Sequence, residues 1–320
     1  QTLCLSSPTP GALGSRVQIH QKALNFSDFL KIFEVLRPFF VSKAWIQRIT
    51  REIIEDAAQD NVRYLELRVN PLALAEASDF DLNDVVEWIM QAAEGSQVKT
   101  GTRTCLIIQI PRKETLVCAN TLVDIAIAHQ GVLMRGIDLA GDEKSYPADK
   151  FSVPFQRAYD AGLCITVHAG ETTCADTIHT AITHLHAQRI GHGLSAVSDA
   201  ALLELLRERG TILEICPTSN IKTSLVSDYE HHPLAVMDEY GLRITVNTDD
   251  PSIFTTTSSQ EIIAAVCEIG IPMDHIYQYL RYGVEGAFIP DDERPWLRQL
   301  FRKALSAFPG ATQAYDQAAD

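Results

Sequence analysis

The chain predicts a parallel α/β barrel of the (β/α)8 TIM type, and three observations lead there. Strand-like and helix-like stretches alternate without interruption, which means a parallel sheet covered by helices. Polar and charged residues gather where the strand-like runs end, the rim on which such barrels place their chemistry. No Gly-rich dinucleotide loop follows any strand, which disfavours the doubly wound open sheet, the alternative fold. A length of 320 residues suits one such domain, and 46% hydrophobic content is ample for its core.

Residues 1–25 read as a lead-in, irregular over its Ser-, Pro- and Gly-rich first fifteen residues. From Phe26 the pattern is helical, with Phe29, Ile32, Phe33 and Leu36 on one face. A longer helix follows, carrying Trp45, Ile46, Ile49, Ile53, Ile54 and Ala57 at i, i+3, i+4 spacing. Val62 to Asn70 alternates apolar and polar and stops before Pro71, so it is a strand. Strands are then expected near 103, 133, 163, 188, 212 and 243, each followed by a helical pattern. Ser198 is placed to cap the helix ending at Gly210, and Ser258 to Glu261 reads as a capping box. The barrel runs from 26 to about 308, and 309–320 reads as a frayed tail. Seven strands are counted where eight are needed.

Composition narrows the function. A net charge of −14 with no offsetting basic patch argues against a nucleic-acid surface. No apolar run is long enough to cross a bilayer, and none resembles a signal peptide. Seven scattered cysteines without a C-x-x-C pair fit a reducing cytosol, so a cytoplasmic protein is expected.

Four strand ends carry residues with chemical potential. In T-V-H-A-G-E, the run Ile165-Thr166-Val167 delivers His168 to a strand end, Gly170 breaks the strand and Glu171 follows. His192 lies in R-I-G-H-G, Asp249 and Asp250 in N-T-D-D-P, and Gly141 in D-L-A-G-D-E. Zinc takes imidazole nitrogen and carboxylate oxygen, and a catalytic zinc lowers the pKa of water. A nearby His can orient or deprotonate that water, and a protonated carboxyl can deliver a proton to a ring nitrogen.

T-V-H-A-G-E, R-I-G-H-G, E-I-C-P-T-S-N, N-T-D-D-P and D-L-A-G-D-E resemble the motifs of the adenosine deaminase family of metal-dependent amidohydrolase barrels. The resemblance covers roughly Phe26 to Phe308. It implies one Zn2+ per chain with His168 and Asp249 as ligands. It makes Glu171 the proton donor to purine N1, and His192 the residue that orients and deprotonates the attacking water. Asp250 would meet purine N7, and the backbone N–H of Gly141 would meet N3. The implied reaction is hydrolytic deamination of adenosine or 2'-deoxyadenosine to an inosine product and ammonia. The substrate would be a purine nucleoside, with adenine or another 6-aminopurine open. The H-x-E…C-x-x-C signature of the Cys-ligated deaminases does not occur.

The sequence departs from that family at one place. Its first strand carries H-x-H, two further zinc ligands, and the nearest fit here is Arg16 to Lys22, with His20 present and Lys22 in the second place. Truncation or mis-splicing at the start, a weakened site in which His20 survives as a ligand, and a non-catalytic nucleoside-binding relative all remain open. Two other histidine pairs are set aside: His184 and His186 in a helical run as surface residues, His231 and His232 as a capping or solvated pair.

Overall fold

Strands form where β-branched and aliphatic residues run together, and the clearest case is Arg103–Pro111, buried over Thr104–Ile108 on both faces of the sheet, as parallel strands are. The computed structural model describes residues 10–20 and 25–317. Seven strands lie among them: β1 Tyr64–Val69, β2 Arg103–Pro111, β3 Met134–Ala140, β4 Cys164–Ala169, β5 Arg189–His192, β6 Ile212–Ile215 and β7 Arg243–Val246. They pair in chain order, each parallel to the next, in one sheet. All seven fall where the sequence placed them. Among the described residues no strand pairs with the outer edges of β1 and β7, so the sheet they form is one strand short of an eight-stranded barrel on that side.

Helices fill the connections: α1 Pro10–Val17, α2 Phe26–Leu36, α3 Lys43–Gln59, α4 Pro71–Ala75, α5 Leu82–Thr100, α6 Leu116–Ala128, α7 Ser152–Asp160, α8 Ala175–His184 and α9 Ala200–Arg209. They continue with α10 Pro217–Lys222, α11 Leu234–Glu239, α12 Pro251–Phe254, α13 Ser258–Ala264, α14 Met273–Glu285, α15 Arg294–Leu305 and α16 Ala311–Gln317. Among the described residues no helix is long and apolar enough to cross a membrane.

The sheet curls, and its interior charges prove it. Arg68 on β1 bonds Glu214 on β6, and Glu66 on β1 bonds Arg189 on β5. Strands that far apart in sheet order can share an ion pair only if the sheet bends round on itself. The segment after α14 plugs the lower mouth. There Phe288 N–H donates to Glu66 at 2.7 Å, Arg189 donates to the Gly286 carbonyl at 2.7 Å, and the guanidinium lies 3.5 Å from the Phe288 ring centre.

Two segments expected to lack structure are helical. Residues 10–17 form α1, which packs on α2. In the tail, Ala311, Ala314 and Tyr315 share one buried face of α16, and Ala311 and Tyr315 join a cluster with Phe301, Tyr277 and Leu280. Both helices are too short for their periodicity to stand out in the sequence. The fit of Arg16 to Lys22 to a barrel strand also fails where it can be seen. Arg16 and Val17 end α1, Gln18 donates back to the Gly14 carbonyl, and His20 is exposed. Gln21 and Lys22 lie outside the described residues, as do Cys4 and the rest of 1–9, and 318–320.

Candidate active site

Gly191 is where the site begins. In the register of β4 and β5, His168 lies beside Gly191 and Ala169 beside His192. A Cβ on Gly191 would stand 3.2 Å from His168 Cγ, so glycine leaves room for the ring. His168 and His192 then approach to 5.2 Å between ring centres. Asp249, three residues past β7, completes a group in which His168, His192 and Asp249 each offer a ligand atom within 4.8 Å of the others. Both His192 (φ 63°) and Asp249 (φ 54°) hold the left-handed backbone conformation, strain of order 1–3 kcal/mol each that clusters at functional sites.

Glu171 reaches the same space, with Oε1 3.5 Å from His192 Nε2. Burial, reinforced by the Asp249 and Glu143 carboxylates against His168, pushes its carboxyl up to about 8. Burial also holds the His192 imidazole down to about 4, hence neutral. On His168 burial works downward, but the Asp138 carboxylate 3.0 Å from Nδ1 wins and raises it to about 8. That contact turns Nε2 toward the site, the usual orientation of a metal-binding imidazole. Asp250 follows Asp249, and burial beside that carboxylate pushes its own carboxyl well up. Gly141 lies just past β3 on the same rim with φ +112°, a conformation glycine adopts readily.

The structure therefore brings together His168, Glu171, His192 and Asp249. His20 has no place in the group, and among the described residues the ligand-capable cluster holds no fourth member. Imidazole nitrogens and a carboxylate oxygen are a donor set zinc accepts.

Several contributors were not singled out from the sequence. Asp138 sits mid-strand, fully buried, where an acid in an apolar run was a signal to follow. Glu143 accepts from the N–H groups of Gly170, Glu171 and Thr172 at 2.7, 3.1 and 3.1 Å, and so shapes the loop that carries Glu171. Ser219 donates to Asp249 Oδ2 at 2.8 Å, and Arg112 donates to the His168 carbonyl at 2.6 Å. His232, read as capping or solvated, does accept from Leu234 N–H but is only 2% exposed and lies one residue from His192 through Asn220. His231 is exposed beside Asp228, and His184 is exposed. His186 lies past the end of α8, half-buried against Tyr159 and bonded to Gln156.

A family model described as adenosine deaminase matches residues 3–304. The chain belongs to the adenosine deaminase family. Among its relatives, the adenosine deaminase of Shewanella loihica is 34% identical over 292 residues, 91% of this chain and 88% of that protein. The adenosine deaminase of Salmonella schwarzengrund is 37% identical over 297 residues, 93% and 89%. Similar solved structures include a zinc-bound amidohydrolase of Burkholderia ambifaria, at TM-score 0.85 and 25% identity over 98% of this chain and 85% of that one. An adenine deaminase of Arthrobacter aurescens matches at TM-score 0.85 and 25% identity, covering 92% and 89%. The N6-methyl-AMP deaminase of Arabidopsis thaliana matches at 0.80 and 28%, covering 90% and 86%. This adenosine deaminase relative is a deaminase-type hydrolase on an amidohydrolase barrel frame, and purines are the substrate class of its named relatives.

Proposed function

We propose that this chain hydrolyses adenosine, and 2'-deoxyadenosine, to inosine or deoxyinosine and ammonia in the cytoplasm, with one zinc per chain held by His168 and Asp249. The observation that carries it is the buried Glu171 carboxyl, pushed up to about 8 and facing the ligand-capable cluster. Bound zinc would supply a water acidified toward neutrality.

Glu171, protonated at neutral pH, delivers its proton to purine N1 as water adds across N1 and C6. The water's two protons finish on the departing nitrogen and on the Glu171 carboxylate, and loss of ammonia restores the ring as a 6-oxopurine, so water is consumed and ammonia released one for one. His192 orients the attacking water, and Ser219 and Asp138 hold Asp249 and His168 in place. Gly141 N–H and Asp250 take N3 and N7. Adenosine is favoured over adenine or N6-methyl-AMP because the 34–37% identical relatives bear that name, against 25–28% for the others.

A second reading is a nucleoside-binding protein without turnover, favoured by a cluster of three ligand-capable groups with no H-x-H strand among the described residues. Zinc stoichiometry measured beside ammonia release from adenosine separates the two. About one zinc per chain with turnover supports the enzyme; adenosine binding with neither metal nor ammonia supports the binder.

A further inference from the structure

His192 Nε2 faces two oxygens, Glu171 Oε1 at 3.5 Å and Asp249 Oδ2 at 4.0 Å. What it can do there depends on which ring nitrogen carries the proton. A bare Nε2 is a base or a metal ligand, whereas a protonated one is a hydrogen-bond donor. The ring's other nitrogen decides, and its partners form a chain that ends on a group that cannot be reoriented.

That end is the backbone of α11. Leu234 N–H donates to His232 Nδ1 at 3.0 Å, so Nδ1 is bare and the proton of the neutral ring sits on Nε2. His232 is 2% exposed, and burial keeps it uncharged by holding it down to about 4. Its Nε2–H points at Asn220 Oδ1, 3.3 Å away. With Oδ1 so engaged, the amide can turn only its NH2 toward His192, and Nδ2 lies 3.0 Å from His192 Nδ1. His192 Nδ1 is therefore an acceptor, and the proton of its neutral ring is on Nε2. Asn220 is fully buried on α10, so solvent offers no competing partner.

We propose that Asn220 and His232 are positioning residues that lock His192 in the Nε2–H tautomer, making it a donor to the attacking oxygen and removing it from the metal ligands. The second part rests on the deaminase reading above; the tautomer itself does not. His192 then grips the water's oxygen, and the water's protons pass to the departing nitrogen and to the Glu171 carboxylate that has given its own to N1; the three-membered cluster resolves into two ligands, His168 and Asp249, plus one donor.

The test is histidine ring 15N spectroscopy on the whole chain, with and without added zinc, using two-bond 1H–15N couplings to tell bare from protonated nitrogens. His192 and His232 are assigned from His192→Gln and His232→Gln spectra. Bare Nδ1 and protonated Nε2 on both rings are expected. A Nδ1–H or averaging His192 overturns the proposal, as does loss of its Nε2 proton on adding zinc. Asn220→Asp presents only acceptor oxygens and should move the His192 proton to Nδ1. The same variant should lower kcat on the order of 100-fold with KM little changed. His232→Gln keeps a donor for Asn220 and should preserve the wild-type tautomer. An unchanged His192 in Asn220→Asp overturns the lock, and if that variant does not fold, the wild-type spectra decide alone. A chain that shows the expected tautomer but releases no ammonia from adenosine overturns the proposed function and leaves the lock standing.

Discussion

At the scale of single residues, Glu171 carries the sharpest predictions. A carboxyl raised to about 8 is protonated at neutral pH and loses its proton as pH climbs through that value. Turnover that needs this proton is then full on the neutral side and declines above about pH 8. A kcat/KM profile still flat a unit beyond that would remove the assignment. Replacing Glu171 by Gln keeps the shape but leaves no transferable proton, so turnover should fall by at least about 100-fold with zinc content unchanged; metal analysis beside an ammonia assay checks both. His168, Glu171, His192 and Asp249 were readable because each sits at a strand's end or just past it, where local pattern suffices. Asp138, Asn220 and His232 were not, since their significance is a partner that lies 30, 28 and 12 residues away.

Among the elements, the loop after β4 depends on Glu143. Its carboxylate satisfies the N–H groups of Glu171 and Thr172, and Gly170 N–H has Thr177 Oγ1 at 3.0 Å as a second acceptor. Glu143→Ala leaves two loop donors without an acceptor, a loss of about 1–3 kcal/mol. A lower melting temperature and faster amide exchange at 171 and 172 are expected, and unchanged exchange would contradict this role. Helix starts show how local reading fails by one residue. Asp199, not Ser198, caps α9, accepting from Ala201 and Leu202 N–H. Thr257 caps α13, and Glu261 turns inward to accept from Thr218 N–H and Thr256 Oγ1 instead of closing a box. A buried donor with no other partner outcompetes a cap that water could replace.

Across the molecule, charges thread the barrel interior: Asp138 to Arg68, Arg68 to Glu214, Glu214 to Arg189, Arg189 to Glu66, Glu66 to Tyr64. Arg189→Met removes two links, leaving Glu66 without its cation and Glu214 with Arg68 alone, which should destabilise the fold by about 3–5 kcal/mol in urea unfolding. Glu214 also sets a pH limit. Burial raises its carboxyl, but Arg68 and Arg189 outweigh that and hold it at about 2, below its ordinary 4.5. Its contribution is complete above 4.5 and is lost as pH falls toward 2, so stability should drop across that window. An acid titration of unfolding free energy that is level there would exclude it.

From the sequence alone came the seven strands, their parallel pairing, the family and the rim residues, because hydrophobic period and strand-end composition are written within a dozen neighbouring positions. Tertiary structure decided which groups meet. His20 fell outside the cluster, short helices appeared in segments read as irregular, and a histidine read as capping or solvated lies buried and joined to His192 through Asn220. These outcomes hang on the curl that carries β1 across to β5 and β6, and on burial, which leaves a polar atom no partner except the one the fold brings to it.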